Sequence, residues 1–109
     1  MSKSLGVALA LSTLTVGAFE EAVQATGENL KPAEKLYQEH CQTCHGVNRL
    51  GAMGPALFPE NLSRLRKNKA VKVIEEGRPA TQMPAFSQVL KKPEIDALID
   101  YIYTPAEVL

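Results

Sequence analysis

The sequence predicts an all-α fold of three or four short helices joined by loops, and three observations carry that expectation. No segment alternates apolar and polar residues for long enough to form a half-buried strand. Ile95, Leu98, Ile99 and Ile102 recur at i, i+3, i+4 and i+7, the apolar stripe of a helix packed along one side. Gly46, Gly51, Gly54, Pro55 and Pro59 break the middle of the chain into loop. At 109 residues there is room for one domain. A core that small usually leans on a staple: disulfides, a metal or a cofactor. The only two cysteines lie three residues apart, which excludes a disulfide framework, so any staple is not protein. With 12 basic against 12 acidic side chains, no nucleic acid or anionic membrane partner is implied.

Taken in order, residues 1–25 read as a cleaved export signal. Lys3 supplies a minimal basic start, and residues 5–19 form a charge-free stretch too short to span a bilayer comfortably. Val23-Gln24-Ala25 is the preferred cleavage frame, with Val16-Gly17-Ala18 as the other. Losing Lys3, Glu20 and Glu21 leaves 84 residues, 26–109, with 11 basic and 10 acidic side chains, bound for an oxidising compartment such as the periplasm. The alternative is a retained anchor or a buried N-terminal helix. Residues 31–41 read as the first helix, with Pro32 near its first turn, where a missing N–H costs least, and Leu36 and Tyr37 facing inward. Residues 46–59 read as loop. Residues 60–66 and 69–76 read as short helices, the second with Val71 and Ile74 on one face and Gly77 as its stop. A second loop runs over residues 78–88. Pro93 at the first helical position, with Glu94 and Asp96 near the positive end of the dipole, opens the last helix, and Pro105 closes it.

The chemistry lies in Cys41-Gln42-Thr43-Cys44-His45. Two thiols at this spacing, followed at once by His, suit covalent haem attachment. One turn of chain brings both sulfurs to the vinyl edge of a porphyrin, and the next side chain then offers an imidazole to the iron. Such attachment takes place outside the cytoplasm, in agreement with the export signal. Two other readings compete. A dithiol redox motif sits at a strand-to-helix turn, and no strand is visible here. Half a zinc site would need a second cysteine pair, and His40 with His45 does not complete one.

A His-bound iron leaves a sixth position, for which His40, Met53 and Met83 are candidates. His40 adjoins Cys41 and reads as a solvent-facing helix residue. Met53 follows His45 too closely to leave its side of the ring. Met83 lies 38 residues beyond His45 in a loop stiffened by Pro79 and Pro84 and can reach the far face, although a lone Met is ordinarily core filler. His/Met ligation raises the reduction potential over His/His and suits a one-electron carrier. An iron-bound imidazole gives its other N–H to a fixed acceptor, and the Pro55 carbonyl is the candidate; otherwise Gly54-Pro55 is only a turn. Leu57, Phe58, Leu62, Leu65, Val71, Ile74, Phe86 and Leu98 are candidates to wall a porphyrin, about half of them by touching it. Arg64, Arg66, Arg78 or Gln82 could meet its propionates.

The run Leu36-Tyr37-x-x-x-Cys41-x-x-Cys44-His45-Gly46, the Gly54-Pro55 step, the Met83-Pro84-Ala85-Phe86 loop and the last helix together resemble class I c-type cytochromes over residues 31–105. The resemblance implies an all-α class I cytochrome c fold around one haem c, with thioethers to Cys41 and Cys44. It implies His45 and Met83 as axial ligands and Pro55 as the residue orienting His45. It also implies that the first and last helices cross near Leu36, Tyr37, Leu98 and Tyr101. The activity implied is carriage of single electrons by a monomer, with no bond chemistry. A generic respiratory carrier remains an alternative, as does a small haem sensor or enzyme with a labile sixth ligand.

A narrower likeness is carried by Arg49-Leu50-Gly51, Gly54-Pro55-Ala56-Leu57, Pro59-Glu60-Asn61-Leu62 and residues 76–84. These stretches resemble small periplasmic cytochromes of denitrifiers, made alongside the haem c/haem d nitrite reductase. The likeness implies electron exchange with that reductase or with the dehydrogenase that finishes its d-type haem.

Overall fold

The computed structural model describes residues 27–108, together with the isolated positions Ser4, Gly6 and Ala10. The export signal read over residues 1–25 lies, but for those three positions, outside the described residues. Four α-helices are present: α1 (Gly27–His40), α2 (Gln42–His45), α3 (Lys67–Glu76) and α4 (Lys92–Ile102). Two 3-10 turns (Val47–Arg49 and Ala106–Val108) complete the regular structure, and no strand occurs among the described residues.

Helix α4 organises the core. Its stripe Ile95, Leu98, Ile99 and Ile102 is buried as the pattern predicts, with Tyr101 beside it. The Glu94 carboxylate accepts the Lys91 backbone N–H at 2.8 Å, which satisfies a donor that the first turn would leave unpaired. Pro93 is the second helical residue and not the first, because Lys92 already has helical geometry; its missing N–H is still one of the orphans.

Helix α1 begins four residues earlier than the sequence suggests, so Pro32 lies inside it and one internal hydrogen bond is forgone. Burial outweighs that loss: Leu30, Ala33 and Tyr37, at i, i+3 and i+7, form the buried face, while Leu36 is only half-buried. The Tyr37 ring meets the Tyr101 ring of α4 at a centroid distance of 5.6 Å and a tilt of 51°, so the two helices pack where the family resemblance places them. The Tyr37 hydroxyl donates to the Gly46 carbonyl at 2.6 Å, tying α1 to the chain just beyond α2.

Helix α3 buries Ala70 and Ile74 and leaves Val71 at the margin. An exposed ion pair, Lys67 to Asp100 at 3.2 Å, links it to α4. The helix expected over residues 60–66 is instead a run of turns, with one α-type bond from the Leu62 N–H to Phe58 and a tighter one from Leu65 to Leu62. Only Leu62 of that stretch is buried. So short a segment cannot recover the cost of helix nucleation without an apolar face to pack.

Burial of the Tyr37 phenol disfavours its phenolate and pushes its pKa up to about 12. A folded-state value above the unfolded one adds stability that is fully present below pH 10 and is lost as pH rises toward 12. Tyr37→Phe is expected to cost about 1–2 kcal/mol at neutral pH, through the lost bond to Gly46. That corresponds to a fall in Tm of roughly 5–10 °C for a domain of this size. The variant is also expected to lose less stability than the wild type between pH 10 and 12. Thermal denaturation of the haem-loaded protein at pH 7, 10 and 11.5 checks both outcomes.

Candidate functional site

Cys41, Cys44, His45, Pro55 and Met83 all line one cavity of about 710 Å³. That volume falls within the roughly 300–1,000 Å³ of small-molecule and cofactor sites. Its walls are apolar, drawn from α3 (Ala70, Val73, Ile74), α4 (Leu98, Ile102) and the turns between (Leu57, Leu62, Leu65).

The Cys41 carbonyl accepts the N–H groups of Cys44 at 3.2 Å and His45 at 2.9 Å. This single turn sets Cys41, Cys44 and His45 at i, i+3 and i+4, hence on one side. The chain then doubles back. Gly46, at φ +85°, is crossed by residue 51 so closely that a Cβ would lie 2.5 Å from the Gly51 oxygen. The Gly51 N–H donates to the His45 carbonyl and the Gly54 N–H to the Cys44 carbonyl, each at 2.7 Å. This fold-back brings the Pro55 carbonyl to 2.7 Å from His45 Nδ1. A carbonyl oxygen only accepts, so Nδ1 carries the hydrogen of this bond. His45 lines the apolar cavity, and Nε2 is the ring nitrogen not engaged by Pro55, so it is the one that could ligate a metal. Gly54 lies against the ring, where an added Cβ would come within 2.9 Å of His45 Cε1.

Met83 arrives on a loop closed by its own bonds. The Arg78 N–H donates to the Met83 carbonyl at 3.2 Å, and the Thr81 hydroxyl donates to the Arg78 carbonyl at 2.8 Å. Ala80 takes a left-handed conformation at φ +63°, a strain the turn has to hold. Gly77, at φ +70°, lets the loop return over the end of α3; a Cβ there would meet the Met83 oxygen at 2.7 Å. The Phe86 N–H then donates to the Ile74 carbonyl at 2.9 Å and anchors the far side.

The residues fit a porphyrin with covalent attachment: two thiols and an imidazole from one turn, a thioether from another loop, and apolar walls. They fit a redox dithiol poorly. Burial, and then the neighbouring Cys44, push the Cys41 thiol up to about 11, whereas a reactive thiol is held as thiolate near neutral pH. No cluster of three or more His, Cys, Asp or Glu suited to a metal ion occurs among the described residues.

Several expectations are corrected. His40 does not simply face solvent; it lines the cavity, half-buried, with its ring edge-on to Phe86 at 6.2 Å. Met53, although 74% exposed, also reaches the cavity lining. Phe58 and Val71 do not line it, because Phe58 stacks on Arg49 and Val71 packs against the core. Arg64, Arg78 and Gln82 line it, and Arg66 does not. Arg49, which sequence reasoning passed over, is 1% exposed and holds four carbonyl oxygens. Its signal was available: Arg49 is the only charged residue in the loop 46–59.

Comparison with known proteins agrees with this geometry. Residues 28–102 match the family described as cytochrome c oxidase, cbb3-type, subunit III. The chain is 48% identical over 97 residues to a Pseudomonas aeruginosa protein named dihydro-heme d1 dehydrogenase; the match covers 89% of this chain but spans only 18% of that relative's length. It is 29% identical over 92 residues to cytochrome c55X of Stutzerimonas stutzeri, covering 84% of this chain and 81% of the relative. The solved structure of the c-type cytochrome NirC superposes with a TM-score of 0.61 at 29% identity, covering 72% of this chain and 92% of the other.

Gly54→Ala is expected to force the His45 ring off the Pro55 carbonyl at a cost of about 1–3 kcal/mol of overpacking. The expected signs are a lower yield of haem-loaded protein and a shifted absorption spectrum and reduction potential. An unchanged spectrum and yield would show that the ring has room to move.

Proposed function

We propose that this chain, which belongs to the cytochrome c family described as cytochrome c oxidase, cbb3-type, subunit III, and is a haem c electron carrier of all-α fold, works in the periplasm as a partner of haem d proteins. Cys41 and Cys44 would carry the thioethers, His45 Nε2 and Met83 would ligate the iron, and the Pro55 carbonyl would orient His45. The observation that carries the assignment is the 2.7 Å contact between His45 Nδ1 and the Pro55 oxygen, made by a residue that lines the cavity and leaving Nε2 as the nitrogen not used in that bond.

Haem c supplies the one-electron couple when bound. The chain's own residues fix the imidazole tautomer, hold a thioether within a self-closed loop and exclude water with aliphatic walls. A thioether ligand favours the reduced state relative to a second imidazole. Ligation by both His45 and Met83 would leave no coordination position for a substrate, which supports a carrier over an enzyme. The match spans 18% of the dehydrogenase relative's length, so its name speaks for the haem c part alone.

Residues 1–25 are the export signal and residues 26–109 the carrier domain. Among the described residues no helix is long and apolar enough to cross a membrane. The names of the relatives, taken with the narrower likeness in the sequence, point to a haem c/haem d nitrite reductase, or the dehydrogenase that completes its d-type haem, as the redox partner. The face offered to it comprises Gln42, Thr43 and the loops 51–54 and 79–86, with Met53, which lines the cavity, 74% exposed.

Met83→Ala is expected to keep haem attached, lower the reduction potential and open the iron to carbon monoxide. If Met53→Ala does this and Met83→Ala does not, the axial assignment passes to Met53. The docking face is nearly free of charge, so electron exchange with the reductase is expected to be fast, with less than about a threefold change between low and high salt. Stopped-flow mixing of reduced protein with oxidised reductase measures this. Exchange no faster than with an unrelated periplasmic oxidase would remove the denitrification assignment.

A further inference from the structure

Arg49 is the most deeply buried charge among the described residues, at 1% exposure, and no carboxylate lies within ion-pair distance of it. Four carbonyls, of Leu57 (3.2 Å), Tyr101 (3.0 Å), Ile102 (3.2 Å) and Thr104 (2.9 Å), share the two N–H groups of its Nη1. The guanidinium carbon stands 4.9 Å from the centroids of both Phe58 and Tyr101. Every group it bonds or stacks on is a dipole or a ring face, so its contacts solvate the charge without neutralising it. Arg49 itself does not reach the cavity, but Leu57 and Ile102, whose carbonyls it holds, line it. The cation therefore lies immediately behind the cavity wall.

Resting on the reading that the cavity holds haem c, we propose that Arg49 is a positioning residue whose fixed, uncompensated charge raises the reduction potential of the bound haem. The oxidised form of the couple carries one more positive charge than the reduced form. A cation held across a thin apolar wall, where water screens little, disfavours the oxidised form. Fixity matters as much as sign. The Arg49 N–H donates to the Gly46 carbonyl, and its own carbonyl accepts the Leu57 N–H at 3.0 Å, so both backbone and side chain are pinned in the loop that closes on His45. The ionisable groups facing it are Tyr37 on α1, Tyr101 on α4 and Glu60 on the following turn. Burial holds both phenols above their ordinary range, so they stay neutral across the working range of pH. The Glu60 carboxylate is exposed to solvent, which screens it.

The test is spectroelectrochemical titration of haem-loaded wild type, Arg49→Gln and Arg49→Lys from pH 5 to 10. In Arg49→Gln the equilibrium constant for reduction is expected to fall by about three- to tenfold at every pH. Arg49→Lys is expected to match the wild type at low pH and to approach the Gln variant as the buried ammonium loses its proton, introducing a titration step that the wild type lacks. If Arg49→Gln yields no folded protein, that new step in Arg49→Lys carries the test alone. Potentials equal to wild type in both variants at all pH values would overturn the proposal. So would equal falls in both at pH 5, because loss of the clamp alone would then explain them. A wild-type protein with no haem spectrum would instead sink the reading beneath it.

Discussion

One guanidinium joins the two parts of this protein that have to stay in register. Helix α4 ends with carbonyls at Tyr101 and Ile102 that have no partner within the helix; beyond it the Thr104 N–H turns back to the Tyr101 carbonyl at 3.2 Å, while the Thr104 carbonyl itself faces the loop. Arg49 reaches across from the loop after α2 and satisfies all three, with Leu57 as a fourth acceptor. The helix thereby gains a C-terminal cap, and the loop gains a fixed point on the most deeply buried element. Removing water from a charge costs several kcal/mol. Four carbonyl dipoles and two aromatic faces offset that cost here without cancelling the charge.

The haem site hangs on that register. The stripe of α4 faces α1 through Tyr37 and Tyr101, and it faces the cavity through Leu98 and Ile102. On the loop side, the fold-back after His45 passes through Arg49 before it presents the Pro55 carbonyl to Nδ1. The wall of the cavity and the orientation of the imidazole are therefore set by the same crossing point. The Met83 loop is built differently, from short-range bonds among Arg78, Thr81 and Met83 and from the room that Gly77 leaves above α3. Two rigid supports that reach one cavity by independent routes suit a carrier, which has to change charge without changing shape.

The all-α class, the last helix and the haem-binding run were legible because each depends on local spacing. A stripe at 3.6-residue period buries one face whatever it packs against, and two cysteines with a following histidine share one turn. Gly77 and the 46–59 loop were legible for the same reason. A fixed acceptor for the His45 imidazole was legible as a need, and the fold-back brings the Pro55 carbonyl to 2.7 Å from it.

Tertiary packing decided the rest. Helix α1 extends through Pro32 because burial of Leu30 and Ala33 outweighs one lost hydrogen bond, a balance that propensity alone cannot strike. Residues 60–66 read as helical by composition but lack an apolar face, and the turns they form were set by what Leu62 could reach. His40 looked exposed in a linear reading, yet Phe86, forty-six residues away, closes over its edge. Arg49 is the clearest case: a charged residue in a loop is ordinarily solvated. Its partners at Tyr101, Ile102 and Thr104 lie more than fifty residues away and are backbone oxygens, which leave no trace in side-chain identity. The sequence alone determined which groups could bind haem and which helix would anchor them; the three-dimensional fold alone determined where a buried positive charge would stand, because only packing brings distant carbonyls together around it.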